Sequence, residues 1–148
     1  MSADILIIDD EADIRGLIQG ILDDEGYQTR TAEHARAAYD QIETRIPSLI
    51  ILDIWLQGSH HDGLEILSEV KKLHPQIPII MISGHGTIET AVAAIKEGAY
   101  DFIEKPFKSD RLLLMIQRAL ETAALRLENE RLKKHVAAAP KDLIGESS

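Results

Sequence analysis

Five residues able to do chemistry follow short apolar runs, at positions where buried strands would end. They are Asp9, Asp10, Asp53, Ser83 and Lys105. Three carboxylates in one pocket resist ionising together, and a divalent cation removes that repulsion. Oxygen ligands without His or Cys favour Mg²⁺. With such an ion present, one carboxylate can attack phosphorus and form an acyl phosphate, while the lysine and the hydroxyl bind the phosphoryl oxygens.

The elements that must position these residues form a repeating pattern. Apolar runs of strand type cover residues 5–8, 49–52, 79–82 and 102–103, and residues 27–31 show a weaker strand pattern. Segments of helical period follow each of them, over residues 14–22, 35–43, 62–73, 88–95 and 109–120, with Asp62-Gly63 and Ser109 as predicted helix caps. Five such units predict an α/β fold, a parallel sheet with helices on both faces. The carboxyl ends of its strands share one edge, so the five residues are expected to converge.

Two of the predicted helices are unusual. The fourth is rich in β-branched residues and follows Gly84 and Gly86, so we expect it to be weak or mobile. The fifth continues with heptad-spaced leucines, Leu120 with Leu127 and Leu125 with Leu132. That spacing is typical of a short coiled coil, and a solvated helix end is the alternative. The sequence AAAP at 137–140 then predicts a linker.

The composition excludes several classes of protein. The chain has 148 residues, enough for one domain and an additional helix or tail. It has no cysteine, which excludes disulfides and thiolate metal sites and agrees with a cytoplasmic location. Its apolar runs are far shorter than the roughly 20 residues that cross a bilayer, and residues 1–8 lack a signal-peptide pattern. The net charge of −9 opposes nucleic-acid binding and indicates solubility or partner choice.

The order and spacing of the motifs resemble the receiver domains of response regulators. The matching pieces are LIIDDE at 6–11, LDI at 52–54, DGLE at 62–65, ISGH at 82–85 and KPF at 105–107. The resemblance implies a flavodoxin-like, doubly wound, five-stranded sheet of strand order 2-1-3-4-5. Within the family, DIWLQG at 53–58 and LENERL at 127–132 are similar to the NtrX-like branch of NtrC-type nitrogen regulators.

The resemblance also implies a division of the chain and a role for the longer protein. DLIGES at 142–147 is similar to the opening of the ATPase domain that follows in such proteins. We therefore expect a receiver domain over residues 1–122, then a linker helix and the start of a truncated ATPase domain over 123–148. The fragment would control a sigma-54-type transcription activator whose DNA-binding domain is absent from this chain.

Site roles follow from the resemblance residue by residue. Asp53 is expected to accept a phosphoryl group from a phosphohistidine of a sensor histidine kinase. Asp10, Asp53 and the backbone carbonyl of Trp55 would ligate Mg²⁺, with Asp9 acting through water. Lys105 would pair with the phosphoryl group, and Ser83 would swing toward it.

Phosphorylation of Asp53 is expected to shift the domain toward one of two pre-existing conformational states. Phe102 falls at the family's aromatic switch position, where the usual residue is tyrosine. Because phenylalanine has no hydroxyl, its inward or outward position would be recognised by shape alone. The alternative is that Phe102 is an ordinary core residue. The Lys105–Pro106 bond is expected to be cis. The fourth helix, fifth strand and fifth helix would form a homodimer face, with transmission along residues 120–132.

Two departures from the family pattern matter. Gln57 replaces the usual proline, and Ser59-His60-His61 lengthens the loop, which puts the kinase-docking geometry in doubt. The two histidines suggest a metal site, although an exposed loop is the more frequent explanation. Trp55 and His85 lie two residues beyond Asp53 and Ser83 and should flank the phosphoryl group. Bulky side chains there predict slow hydrolysis.

Three other functions compete with this interpretation. A phosphatase with an aspartyl-phosphate intermediate would want an acid at position 55, where this chain has tryptophan. A nucleotide-binding domain would carry G-x-G-x-x-G or a Walker A motif, and the sequence has neither. A receiver-like module that is never phosphorylated would not require the complete acidic set. We therefore expect a switch and not an enzyme.

Overall fold

The computed structural model describes residues 3–56, 60–84 and 87–138. Five parallel strands form one sheet in the order β2-β1-β3-β4-β5, as the resemblance to receiver domains implies. The strands are β1 Asp4–Ile8, β2 Gln28–Ala32, β3 Leu49–Asp53, β4 Ile79–Ser83 and β5 Asp101–Glu104. The helices are α1 Ala12–Asp24, α2 Ala35–Thr44, α3 His60–Leu73, α4 Ile88–Lys96 and α5 Ser109–Ala138.

The central strands bury both of their faces, which is why they read as continuous apolar runs. Alternate residues enter two separate cores. One core joins Leu6, Ile50 and Met81 to residues of α2, α3 and α4, among them Ala38, Leu67 and Ala94. The other joins Ile7, Ile51 and Ile80 to residues of α1 and α5, among them Ile18, Leu22, Leu112 and Ile116. The doubly wound arrangement is therefore confirmed.

The start of α3 differs from the prediction. Asp62-Gly63 was expected to cap this helix, but the helix begins at His60 and Gly63 lies in its first turn. A Cβ atom at Gly63 would lie 2.4 Å from the carbonyl oxygen of Ile54. Glycine is required there because the helix packs directly on the backbone that follows β3. Ser109 is likewise the first residue of α5 and not a residue before it.

The fourth helix is formed, with the Thr87 hydroxyl accepting a hydrogen bond from the Thr90 amide at 3.1 Å. Its mobility stays a prediction. The small residue Ala94 is buried against the sheet, whereas Ile88, Val92 and Ile95 are 84%, 46% and 45% exposed. An apolar stripe on α4 thus faces solvent.

The fifth helix has 30 residues, a length of about 45 Å at 1.5 Å per residue. Its first half packs on the sheet through Leu112 and Ile116, while Leu125, Leu127 and Leu132 are exposed. The helix continues through residue 122, so the expected division there stays a prediction. Residues 140–148, where the ATPase-like sequence begins, lie outside the described residues. In the part of the chain that the structure describes, no helix is long and apolar enough to cross a membrane.

Candidate functional site

The five predicted residues stand at the carboxyl edge of the sheet. Asp53 and Ser83 end β3 and β4, while Asp9, Asp10 and Lys105 follow β1 and β5 directly. Carboxylate oxygens of Asp9, Asp10 and Asp53 all lie within 4.8 Å of one another. Asp10 and Asp53 border an open pocket of about 700 Å³, which is also lined by Glu11, Ile14, Trp55, Gly84 and Lys105.

Asp9 is the most enclosed carboxylate of the site, with no exposed surface. Its Oδ1 accepts a hydrogen bond from the Glu11 amide at 2.9 Å, and its carbonyl oxygen accepts one from Arg15 at 2.7 Å. Its Oδ2 makes no hydrogen bond to any described residue and lies 3.2 Å from Nζ of Lys105. Burial raises the pKa of Asp9, against the lowering effects of the Glu11 amide and Lys105.

Asp53 is 3% exposed and is fixed by its own loop. Its Oδ1 accepts a hydrogen bond from the Trp55 amide at 3.0 Å, and its Oδ2 lies 3.7 Å from Nζ of Lys105. Burial, followed by the charge of Asp9, raises the pKa of Asp53 to about 6. The negative charge of the Asp53 carboxylate is therefore disfavoured, as expected of a buried site that holds more carboxylates than cations.

Lys105 carries the positive charge among these acids. Its Nζ lies 3.0 Å from Oε1 of Glu11, closer than to either Asp9 or Asp53. Burial lowers the pKa of Lys105, but the hydrogen bond to Glu11 and the charges of Asp53 and Asp9 outweigh it and raise that pKa. Glu11 was not among the predicted site residues, although it directly follows Asp9-Asp10 in the sequence.

The donor set fits a hard divalent cation. Every candidate ligand is an oxygen, three carboxylates share the site, and Oδ2 of Asp9 is buried without a hydrogen bond to a described residue. One lysine cannot neutralise Asp9, Asp10 and Asp53 together. Trp55, whose carbonyl is the fourth expected ligand group, is half-buried and lines the same pocket.

The remaining predicted residues lie around this centre. Ser83 is fully buried, and its carbonyl oxygen accepts a hydrogen bond from the Lys105 amide at 2.8 Å. Phe102 is half-buried in β5 and packs against the core beneath α2, α3 and α4. The Lys105–Pro106 bond is cis, as expected. His85 and residues 57–59 of the lengthened loop lie outside the described residues, whereas His60 and His61 belong to α3.

Comparison with known proteins gives a consistent result. Residues 5–117 match the response regulator receiver domain family. The nitrogen assimilation regulatory protein NtrX of Azorhizobium caulinodans is 60% identical over 148 residues, all of this chain and 32% of that protein. A putative NtrX-like response regulator of Rickettsia bellii is 51% identical over 98% of this chain and 30% of that protein. This chain thus spans about a third of the length of these relatives.

Solved structures agree with the sequence comparison. The receiver domain of NtrX from Brucella abortus superposes with a TM-score of 0.77 at 65% identity, over 80% of this chain and 99% of that one. The beryllofluoride-activated NtrC4 receiver domain, solved as a dimer, gives 0.76 at 40% identity, over 81% and 98%. With its fold and the convergence of its acidic residues on one edge, this chain belongs to the family of response regulator receiver domains, with NtrX proteins among its relatives.

Proposed function

We propose that Asp53 accepts a phosphoryl group from a phosphohistidine of a sensor histidine kinase and that the acyl phosphate switches the domain. The supporting observation is the environment of Asp53. Its carboxylate is buried beside Asp9 and Asp10, and its Oδ2 lies 3.7 Å from the ammonium group of Lys105. A buried nucleophile with adjacent ligands and a cation is what phosphoryl transfer requires.

In the transfer step, Oδ2 of Asp53 forms a bond to phosphorus while the bond from phosphorus to the histidine nitrogen breaks. The imidazole leaves with the electron pair. Lys105 neutralises charge on the transferred oxygens, and Asp53 is held in place through Oδ1 by the Trp55 amide. Mg²⁺, when held by Asp10, Asp53 and the carbonyl of Trp55 and through water by Asp9, would supply the remaining neutralising charge. Ser83 would then bind a phosphoryl oxygen.

We propose a switch and not an enzyme because no acid stands where rapid turnover requires one. Trp55, two residues beyond Asp53, lines the pocket and cannot protonate a leaving group. The acyl phosphate is therefore a persistent signal and not a reaction intermediate.

The output surface in this proposal is the face formed by α4, β5 and α5. Ile88, Val92 and Ile95 expose an apolar stripe on α4, and Phe102 lies in the adjoining strand. Exposed stripes of this kind mark interaction sites. We assign this face to a homodimer, which Leu125 and Leu132 would extend along α5. The activated NtrC4 receiver domain is itself a dimer.

The longer protein completes the proposal. The relatives extend well beyond this chain, and we assign the missing part to a sigma-54-type ATPase and a DNA-binding domain in nitrogen regulation. This chain, at a net charge of −9, would leave contact with nucleic acid to that part and would act in the cytoplasm, without a membrane.

The direct test is incubation with acetyl phosphate and Mg²⁺, followed by mass measurement of the intact chain. Wild-type protein should gain one phosphoryl group, and Asp53→Asn should gain none. Asp40→Asn removes an exposed carboxylate on α2 and should react like the wild type. An adduct that persists in Asp53→Asn, or no adduct on the wild type, contradicts the proposal.

A further inference from the structure

The ammonium group of Lys105 is drawn toward Glu11 and away from the proposed phosphoryl acceptor. Nζ lies 3.0 Å from Oε1 of Glu11 in a hydrogen bond, and 3.7 Å from Oδ2 of Asp53. Glu11 also contributes the strongest of the interactions that favour the charged lysine. The contact joins the segment after β1 to the segment after β5, across 94 residues of sequence.

The two partners differ in their freedom. The Lys105 side chain is 13% exposed, while that of Glu11 is 62% exposed. The backbone of Glu11 is held at both ends, since its amide donates to Oδ1 of Asp9 at 2.9 Å and its carbonyl accepts from the Arg15 amide at 3.1 Å. Its carboxylate can therefore return to water, at little cost, without any change in the start of α1.

We propose that Glu11 is a positioning residue that holds Lys105 at the β1 side of the pocket, so that a phosphoryl group on Asp53 must compete with Glu11 for this lysine. The inference rests on the proposed function of Asp53. Phosphorylation replaces a single carboxylate charge by a group of about −1.5 to −2 charge with three acceptor oxygens. That group draws Lys105 away, and Glu11 is released to solvent.

The competition for Lys105 sets how strongly the phosphorylated form is favoured. In each form of the domain at least two anions compete for Lys105, and the Glu11 contact stabilises only the unphosphorylated form. Removing the Glu11 charge therefore favours the phosphorylated form. Because Glu11 is largely exposed, water and salt weaken its contribution, and we expect a change of roughly threefold in the equilibrium.

Beryllofluoride is a suitable probe because it occupies the phosphoryl position at equilibrium and removes hydrolysis from the measurement. Trp55, the single tryptophan of the chain, lines the pocket and can report binding by fluorescence. With Mg²⁺ saturating for each variant, Glu11→Gln should bind beryllofluoride roughly threefold more tightly than the wild type. Asp13→Asn removes a charge two residues after Glu11, in the first turn of α1, with no contact to Lys105 among the described residues, and should bind as the wild type does.

A second measurement separates positioning from a general change of charge. The Lys105 ammonium nitrogen, followed by NMR without beryllofluoride, should shift in Glu11→Gln and not in Asp13→Asn. Equal or weaker beryllofluoride binding by Glu11→Gln, an equal gain in Asp13→Asn, or an unmoved Lys105 signal overturns the inference. Binding that is unaffected by Asp53→Asn would instead overturn the proposed function of the pocket.

Discussion

The two ends of β1 each carry a buried aspartate, in opposite charge environments. At the start of the strand, Asp4 accepts hydrogen bonds from Arg30 at 2.6 and 3.1 Å and from Arg45 at 3.0 Å. Beyond the other end, Asp9 shares one lysine with Asp53 and Glu11. At the start of β1, two guanidinium groups pair with one carboxylate. Beyond its other end, one ammonium group lies close to three carboxylates.

This difference separates a structural cluster from a site. The Arg30 guanidinium also donates to the carbonyl oxygens of Gln41 and Arg45, at 2.7 and 2.8 Å, so the Asp4 cluster ties β1 and β2 to the end of α2. The charge of the buried Asp4 carboxylate is therefore matched within the protein. Among the described residues, one lysine contacts Asp9, Asp53 and Glu11, so the Asp9 cluster has excess negative charge that a bound cation would match. Buried charge without a match lowers stability.

The largest expected effect comes from breaking the matched cluster. Arg30→Met removes the bidentate partner of Asp4, whose side chain is 11% exposed, and leaves the more exposed Arg45 as its cationic partner in the described structure. We expect the free energy of unfolding to fall by about 3 kcal/mol, as for other buried pairs that lose one member. Urea denaturation measures this change.

Arg36 provides the matched control. It pairs with Asp40 at 4.0 Å on the surface of α2, with 86% of its side chain exposed. Arg36→Met should change the free energy of unfolding by less than about 0.5 kcal/mol. Similar losses in the two variants would show that the Asp4 cluster has no special structural role.

Removing a charge from the Asp9 cluster should raise the free energy of unfolding, the opposite of the effect expected for the Asp4 cluster. Without divalent cation at pH 7, Asp53→Asn should be more stable than the wild type by about 2 kcal/mol, because the wild type keeps a disfavoured buried charge. Burial and Asp9 raise the folded-state pKa of Asp53 to about 6, from 3.8 in the unfolded chain. Wild-type stability should therefore fall as pH rises from about 4 to 6, and the advantage of the variant should vanish below pH 4.

Mg²⁺ makes this prediction specific to the site. Saturating Mg²⁺ should stabilise the wild type at pH 7 by binding only the folded state, and should remove most of the advantage of Asp53→Asn. Asp40→Asn should show neither the gain nor the dependence on Mg²⁺. If Asp53→Asn and the wild type are equally stable at pH 7 without cation, the two ends of β1 do not differ as described.

The same comparison shows what a sequence can predict. Asp9, Asp53, Ser83 and Lys105 were identified because they end apolar runs, and parallel strands bring such ends together whatever the details of packing. The pairing of Asp4 with Arg30 and Arg45 was not identified, because it spans 26 and 41 residues and depends on the register between β1 and β2. The contact of Glu11 with Lys105 depends on side-chain conformations, which spacing does not determine.

The fourth and third helices show a related limit. The period of α4 predicted a helix, but not that Ile88, Val92 and Ile95 face solvent. The small residue Ala94 takes the buried position instead. Gly63 was interpreted, together with Asp62, as a helix cap. Its close approach to Ile54 follows from the packing of α3, which the local sequence does not encode.

The smallest expected effect is on the rate at which phosphorylated Asp53 would lose its phosphoryl group. Trp55 lines the pocket beside Asp53 and packs on the neighbouring core, so we expect its ring to restrict the path of an attacking water. Trp55→Ala should speed loss of the phosphoryl group about fivefold, which corresponds to about 1 kcal/mol in the barrier. The rate can be followed by the decay of the phosphorylated mass after removal of acetyl phosphate.

Trp55→Phe keeps a ring at this position and should stay close to the wild-type rate, while His85→Ala tests the flanking position outside the described residues. Unchanged decay in both alanine variants would mean that access of water is controlled elsewhere, and that charge alone distinguishes this end of β1 from the other.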